Sequence, residues 1–281
     1  MNDSSTALGA YLRARREVTL PEDVGLVSEP GRRVSGLRRD EVAALAGISA
    51  EYYLRLEQGR GARPSDQVLL GLCRALRLDG EATAYAFRLI VGRSQTPPTV
   101  PHDSADRIVR ALAAWTHTPA YVTDPHRDIV AANPLATVFG HGGLSAGGNQ
   151  LRHLFAPRMK DTLVEWEAMA GAAVATLRRD APRDSPRLAQ LVALLSVDPD
   201  FVRLWKRHDV SGPEDATFHI AIDGIGEIPV DAQNFAVRSM PGYQLTVLSA
   251  PPTSITGAVF ARLAQSIPAP VADLVGADGR A

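Results

Sequence analysis

Arg55 carries a planar fork of donors, Glu51 one helical turn before it carries acceptor oxygens, and Ala50 adds a bare methyl. A guanidinium can bond to both O6 and N7 of guanine, a carboxylate can accept from the cytosine amine, and a methyl can touch that of thymine. Ser49 and Tyr52 add hydroxyls to the set. Positions 49, 50, 51, 52 and 55 therefore carry chemistry for reading base edges, if one exposed face holds them. Arg38, Arg39, Arg60 and Arg63 bracket the set and are candidates for phosphate oxygens, which a guanidinium grips with two parallel bonds.

The elements that must position these residues lie in the run LRRDEVAALAGISAEYYLRLEQG, residues 37–59. Val42, Ala43, Ala46, Ile48, Tyr53 and Leu56 fall on inward positions of two short helices. Gly47 between them can take the positive φ that ends a helix, and Ser49 stands where an N-cap belongs. Glu51 falls in the first turn, where the helix dipole favours negative charge. An αα-hairpin in a helical core has the same outline. The small, glycine and apolar positions taken together favour a helix-turn-helix, whose second helix enters the DNA major groove. Leu8 and Leu12, with Arg13, Arg15 and Arg16, suggest a preceding helix, followed by a polar connection over 18–36. Pro64 and Ser65 open a fourth helix with Val68, Leu69, Leu72, Cys73 and Leu76 on one face. Asp79 can cap a fifth, lined by Ala82, Tyr85, Ala86 and Leu89.

LRRDEVAALAGISAEYYLRLEQGR resembles the xenobiotic-response-element type of helix-turn-helix and, more narrowly, the MmyB-like regulators. TPAYVTDPHRDIVAANPLA, the Trp166 helix ending in LRRD, and FVRLWKRHDV resemble the C-terminal ligand-binding region of the same family, so the likeness spans roughly residues 7 to 250. The resemblance implies a PAS-like sensor domain, homodimeric DNA binding and, in some members, a bound fatty acid.

The 281 residues suffice for two cores. Residues 1–91 are read as an all-α five-helix DNA-binding domain, and the proline-rich 92–103 as a linker. Residues 104–250 are read as an α+β PAS-like domain with an antiparallel sheet, and 251–281 as a tail with a helix near 254–266 followed by disorder. In the second domain, Ile108, Leu112 and Trp115 mark a helix face. Strands are expected at 120–123, 128–132, 217–221, 226–231 and 243–248. Asn133-Pro134 reads as a helix start, and the glycine-rich 140–148 as a flexible connection. One long helix is expected near 159–179, with shorter ones at 188–195 and 201–207.

Net charge is −1, with +2 on residues 1–93 and −3 on the remainder, so DNA affinity must come from a few placed arginines. One recognition helix reads few base pairs, and a homodimer on a two-fold site is the usual solution. No stretch is apolar enough to span a bilayer, and the N-terminus lacks the apolar core of a signal peptide, which points to a cytoplasmic protein. The single cysteine, Cys73, reads as packing. The seven histidines are scattered, no metal spacing or nucleophile elbow occurs, and neither enzyme activity nor a cofactor is expected.

Ligand candidates are Tyr121, Trp166 and Trp205 as pocket walls, Arg178, Arg203 and Arg207 as carboxylate partners, and His208. The expected function is a ligand-responsive DNA-binding regulator whose ligand is small and apolar or fatty-acid-like. The alternative is a DNA-binding protein whose C-terminal domain only dimerises or binds a protein partner.

Overall fold

Apolar spacing decides the first five helices. In the computed structural model, which describes residues 3–28, 32, 34–60, 63–91 and 102–267, they are α1 (Asp3–Val18), α2 (Arg39–Ala46), α3 (Ala50–Glu57), α4 (Asp66–Ala75) and α5 (Gly80–Val91). Leu8, Tyr11, Leu12, Val42, Tyr53, Leu56, Leu69, Leu72, Leu76 and Leu89 meet in one core, together with buried Cys73. Each fully buried leucine contributes about 2 kcal/mol. That exceeds the roughly 0.5 kcal/mol separating most helix propensities, so packing sets these boundaries. Polar caps sharpen them: Ser49 accepts from the Tyr52 N–H at 3.1 Å, Ser65 from Val68 at 3.3 Å and Asp79 from Ala82 at 2.8 Å. Gly47 ends α2 at φ 71°, a conformation that a β-carbon penalises.

The second domain is a five-stranded sheet with helices on both sides. Its strands are β1 (Ala120–Thr123), β2 (Ile129–Ala132), β3 (Ala216–Ile222), β4 (Gly226–Ala236) and β5 (Gln244–Ser249), in the order β2-β1-β5-β4-β3. Every pairing is antiparallel. This is the α+β layout expected for this part of the chain. Ahead of β1, α6 (His102–Ala113) buries Leu112 against Ala120, Val122 and Ala131 on one sheet face. The other face packs on helices inserted between β2 and β3: α7 (Pro134–Phe139), α8 (Gln150–Leu154), α9 (Pro157–Thr162), α10 (Trp166–Asp180), α11 (Pro186–Leu195) and α12 (Pro199–Lys206). Then α13 (Ile255–Gln265) closes that side through Phe260. Asn133 is the hinge pin of the first hairpin. Its Oδ1 accepts from Ala136 and Ala120, and its Nδ2 donates to the Trp115 and Thr118 carbonyls.

Three local features depart from the sequence pattern. The helix expected over 159–179 is two helices. Between them Leu163 pairs with Ile220 at the sheet edge and the Val164 N–H donates to the His219 carbonyl at 2.9 Å. A strand edge has taken the backbone groups that a continuous helix would have used. Trp115 lies past the end of α6 and is 39% exposed, off the apolar face shared by Ile108 and Leu112. The glycine-rich loop is a chain of turns tied to β2, with the Gly147 N–H on the Ile129 carbonyl at 2.8 Å. Of the expected linker, residues 92–101 lie outside the described residues, and α6 already begins at His102. The part of the tail from 268 onward, read as disordered, also lies outside them.

Candidate nucleic-acid interface and its junction with the second domain

Ser49, Ala50, Glu51 and Arg55 are exposed on α3. Ser49 spends one lone pair on the cap, which leaves its hydroxyl proton and one lone pair for any outward contact. Tyr52 is half-buried against the N-terminal core, less exposed than the other four. Among the phosphate candidates, Arg38, Arg60 and Arg63 are exposed at the ends of α2 and α3.

Arg39 has a second job. Its Nε donates to Glu57 Oε2 at 2.8 Å, while Arg16 on α1 donates through Nε to Glu57 Oε1 at 2.6 Å. Burial pushes the Glu57 carboxyl up, but the two guanidiniums more than offset this and hold it below the ordinary range. Glu57 thus locks α1, α2 and α3 together from the inner end of the recognition helix. The start of α2 is fixed in the same way. Arg32 grips Glu41 with two bonds of 2.6 Å, and Glu41 accepts the Arg38 backbone N–H at 2.6 Å. The Arg32 bonds, against a smaller opposing push from burial, lower the Glu41 carboxyl to about 2.

Among the described residues the seven ligand candidates lie in several different surroundings. Tyr121 is buried on the helix-covered sheet face, where its hydroxyl accepts from Gln150 at 3.1 Å. Trp166 donates to the Leu154 carbonyl at 2.7 Å and packs edge-to-face on Phe155. Trp205 stacks on Phe201. Arg203 forms a bidentate pair with Glu167 at 2.5 and 2.6 Å, and Arg207 pairs with Asp209 at 2.6 Å.

Arg178, Trp205 and His208 instead build a junction between the domains. The Arg178 guanidinium lies 3.8 Å from the centre of the Trp205 ring, donates to the Trp205 carbonyl, and stands 3.3 Å from His208 Nδ1. The His208 ring meets Tyr11 of α1 at 6.4 Å, and Tyr11 meets Tyr85 of α5 edge-to-face at 5.2 Å. Beside them Arg15 pairs with Asp209, Val210 enters the N-terminal core, and Arg179 reaches Glu81 at 3.3 Å. Burial, then the Arg178 and Arg15 charges, lower His208 to about 4. Tyr11, Arg15, Asp209 and Val210 carry no sequence signal for this role. Their contacts join positions almost two hundred residues apart, which local periodicity does not register.

An Asp124–His126–Ser185 array also forms. His126 Nδ1 lies 3.4 Å from Asp124, and its Nε2 lies 2.7 Å from Ser185 Oγ. That oxygen accepts from the Arg187 and Leu188 N–H groups at 3.2 and 3.4 Å. Its lone pairs therefore start α11, and Ser185 is a cap. Among the described residues no group of three or more His, Cys, Asp or Glu side chains is placed to hold a metal ion, and no helix is long and apolar enough to cross a membrane.

Two family models match the chain. The one described as the MmyB-like transcription regulator ligand binding domain covers residues 105–263, and a helix-turn-helix domain covers residues 7–86. The first match runs into α13, past the 250 where the sequence pattern places the end of that domain. No curated protein matches the chain.

Proposed function

Because the chain belongs to the MmyB-like transcription regulators, pairing a helix-turn-helix domain with a ligand-binding domain, we propose that it is a cytoplasmic ligand-responsive regulator that binds a two-fold operator as a homodimer. Its ligand is a small apolar or fatty-acid-like molecule held by the C-terminal domain. Ala50, Glu51 and Arg55 read base edges, with Ser49 and Tyr52 at their margin. Arg38, Arg60 and Arg63 contact phosphates, and Arg39 joins them with whatever donors Glu57 leaves it.

One observation carries the regulatory part: α1 touches both ends of the system through adjacent residues. Arg16 holds Glu57 at the end of α3, while Arg15 holds Asp209 and Tyr11 meets the His208 ring in the second domain. A change in the C-terminal domain that moves residues 208–210 has a short mechanical route to the recognition helix. Couplings of this kind are typically about 1–3 kcal/mol.

The test starts with selection of binding sites from random DNA by the full chain. Two half-sites one helical turn apart, at about 34–36 Å between centres, support the dimer. A single half-site, or no selected sequence, counts against it. A second reading, in which the C-terminal domain only pairs copies or binds a protein, draws on Val109, Val130 and Trp115, which are 51%, 40% and 39% exposed near α6 and the sheet edge. Native mass spectrometry separates the two, since only the sensor reading predicts a bound small molecule.

A further inference from the structure

The glycine-rich loop does more than connect: with α8 and α9 it lines a half-open cavity of about 360 Å³. That is within the range of about 300–1,000 Å³ typical of small-molecule sites. His141, Gly143, Arg152, His153, Arg158 and Met159 are among its walls, and no carboxylate lines it among the described residues. Elsewhere in this domain Arg127, Arg179, Arg187, Arg203 and Arg207 each end on a carboxylate. Arg152 and Arg158 pair with no acid among the described residues, as is also true of Arg183, Arg238 and Arg262, but only these two line the cavity. His153 is half-buried, and neither ring nitrogen is hydrogen-bonded among the described residues. A β-carbon on residue 143 would lie 2.1 Å from His153 Nδ1, so glycine there is what lets the imidazole sit against the loop.

The electrostatics agree. Burial, then His141, lower His153 to about 4, and burial, then Arg158, lower His141. Both imidazoles are neutral at neutral pH, and the guanidiniums supply charge that nothing in the walls offsets. A neutral imidazole still offers one N–H donor. A guanidinium fork fits carboxylate and phosphate geometry, and its bonds to them are about twice as strong as neutral ones.

We propose that this cavity binds a small oxyanion, the carboxylate or phosphate group of a metabolite, with Arg152 and Arg158 at its mouth and His153 donating from its wall. The site stands on the cavity; only its effect on DNA rests on the sensor reading above.

The test is calorimetric titration of the full chain with inorganic phosphate and, separately, with hexanoate, for the wild type and the Arg152→Gln/Arg158→Gln variant. Both arginines are exposed, so the unfolding temperature should hold. The expected result is binding of at least one probe and a loss of about tenfold or more in affinity in the variant, a difference of one decade in Kd. Stronger phosphate binding assigns a phosphorylated metabolite, and stronger hexanoate binding a carboxylic acid. No binding of either, or binding that survives the double substitution, overturns the site. So does a fall in DNA affinity of the anion-free variant, which would make these arginines a DNA contact. Anion binding that leaves DNA affinity unchanged supports the site and counts instead against the sensor reading.

Discussion

Arg55 and Glu57 sit two positions apart on α3 and face opposite ways, one to solvent and one into a buried ion cluster. Under the proposed function the first is a recognition group. Arg55→Ala should weaken operator binding by about 1–3 kcal/mol while affinity for random DNA falls less, as anisotropy titrations on both would show. Equal losses would reassign Arg55 to the phosphate backbone. The second is structural. Glu57→Ala takes from the buried Arg16 guanidinium its nearest carboxylate, and breaking such a pair costs about 3–5 kcal/mol. Chemical denaturation should show that loss, and a change under about 1 kcal/mol would mean that Glu17, the Leu37 carbonyl and solvent compensate. The exposed face was legible in the sequence because 3.6-residue periodicity separates Tyr53 and Leu56 from Glu51 and Arg55. The role of Glu57 was not. Nothing local marks a glutamate whose partners lie 41 residues before it and, on another helix, 18 before it.

At the scale of elements, capped and strongly amphipathic segments were readable. All five helices of the first domain and all five strands of the second fall where apolar spacing puts them. β4 runs on to Ala236, beyond the expected 231, because after leaving β3 it keeps pairing with β5 down to Ala236–Gln244. The break between α9 and α10 was hidden for a related reason. Backbone pairing of Leu163 with Ile220 depends on a strand over fifty residues away. The junction segment after α12 behaves as an element of its own and makes a pH prediction. His208 is held near 4 against an ordinary value of 6.5, so the folded junction binds fewer protons than an undocked one. Its contribution is therefore complete above about pH 6.5 and is lost as pH falls toward 4. Hydrogen exchange at residues 208–210 should rise across that window, and His208→Gln should flatten the response. Unchanged protection from pH 7 to pH 4 would mean that the imidazole is charged in place and the junction does not depend on it.

For the whole molecule, a net charge of −1 and only +2 on the first 93 residues leave DNA affinity to a few arginines. Each phosphate contact contributes about 0.9 to the slope of log affinity against log salt, so Arg60→Ala in a dimer should reduce that slope by about 2. An unchanged slope would remove Arg60 from the phosphate set. The division into two domains was legible from the proline-rich stretch after Val91 and the change of pattern beyond it. The junction and the cationic cavity were not, since both are made by side chains that only tertiary folding brings together.

Under the proposed function, the state of the C-terminal domain sets the affinity of α3 for DNA through α1. Operator affinity of the full chain, measured before and after removal of any co-purified small molecule and repeated with Asp209→Ala to cut the Arg15 pair, probes this coupling. The expected result is a change of about 5- to 150-fold in the wild type that shrinks markedly in the variant. Equal affinity with and without the small molecule, or a ligand response that Asp209→Ala leaves intact, would contradict it.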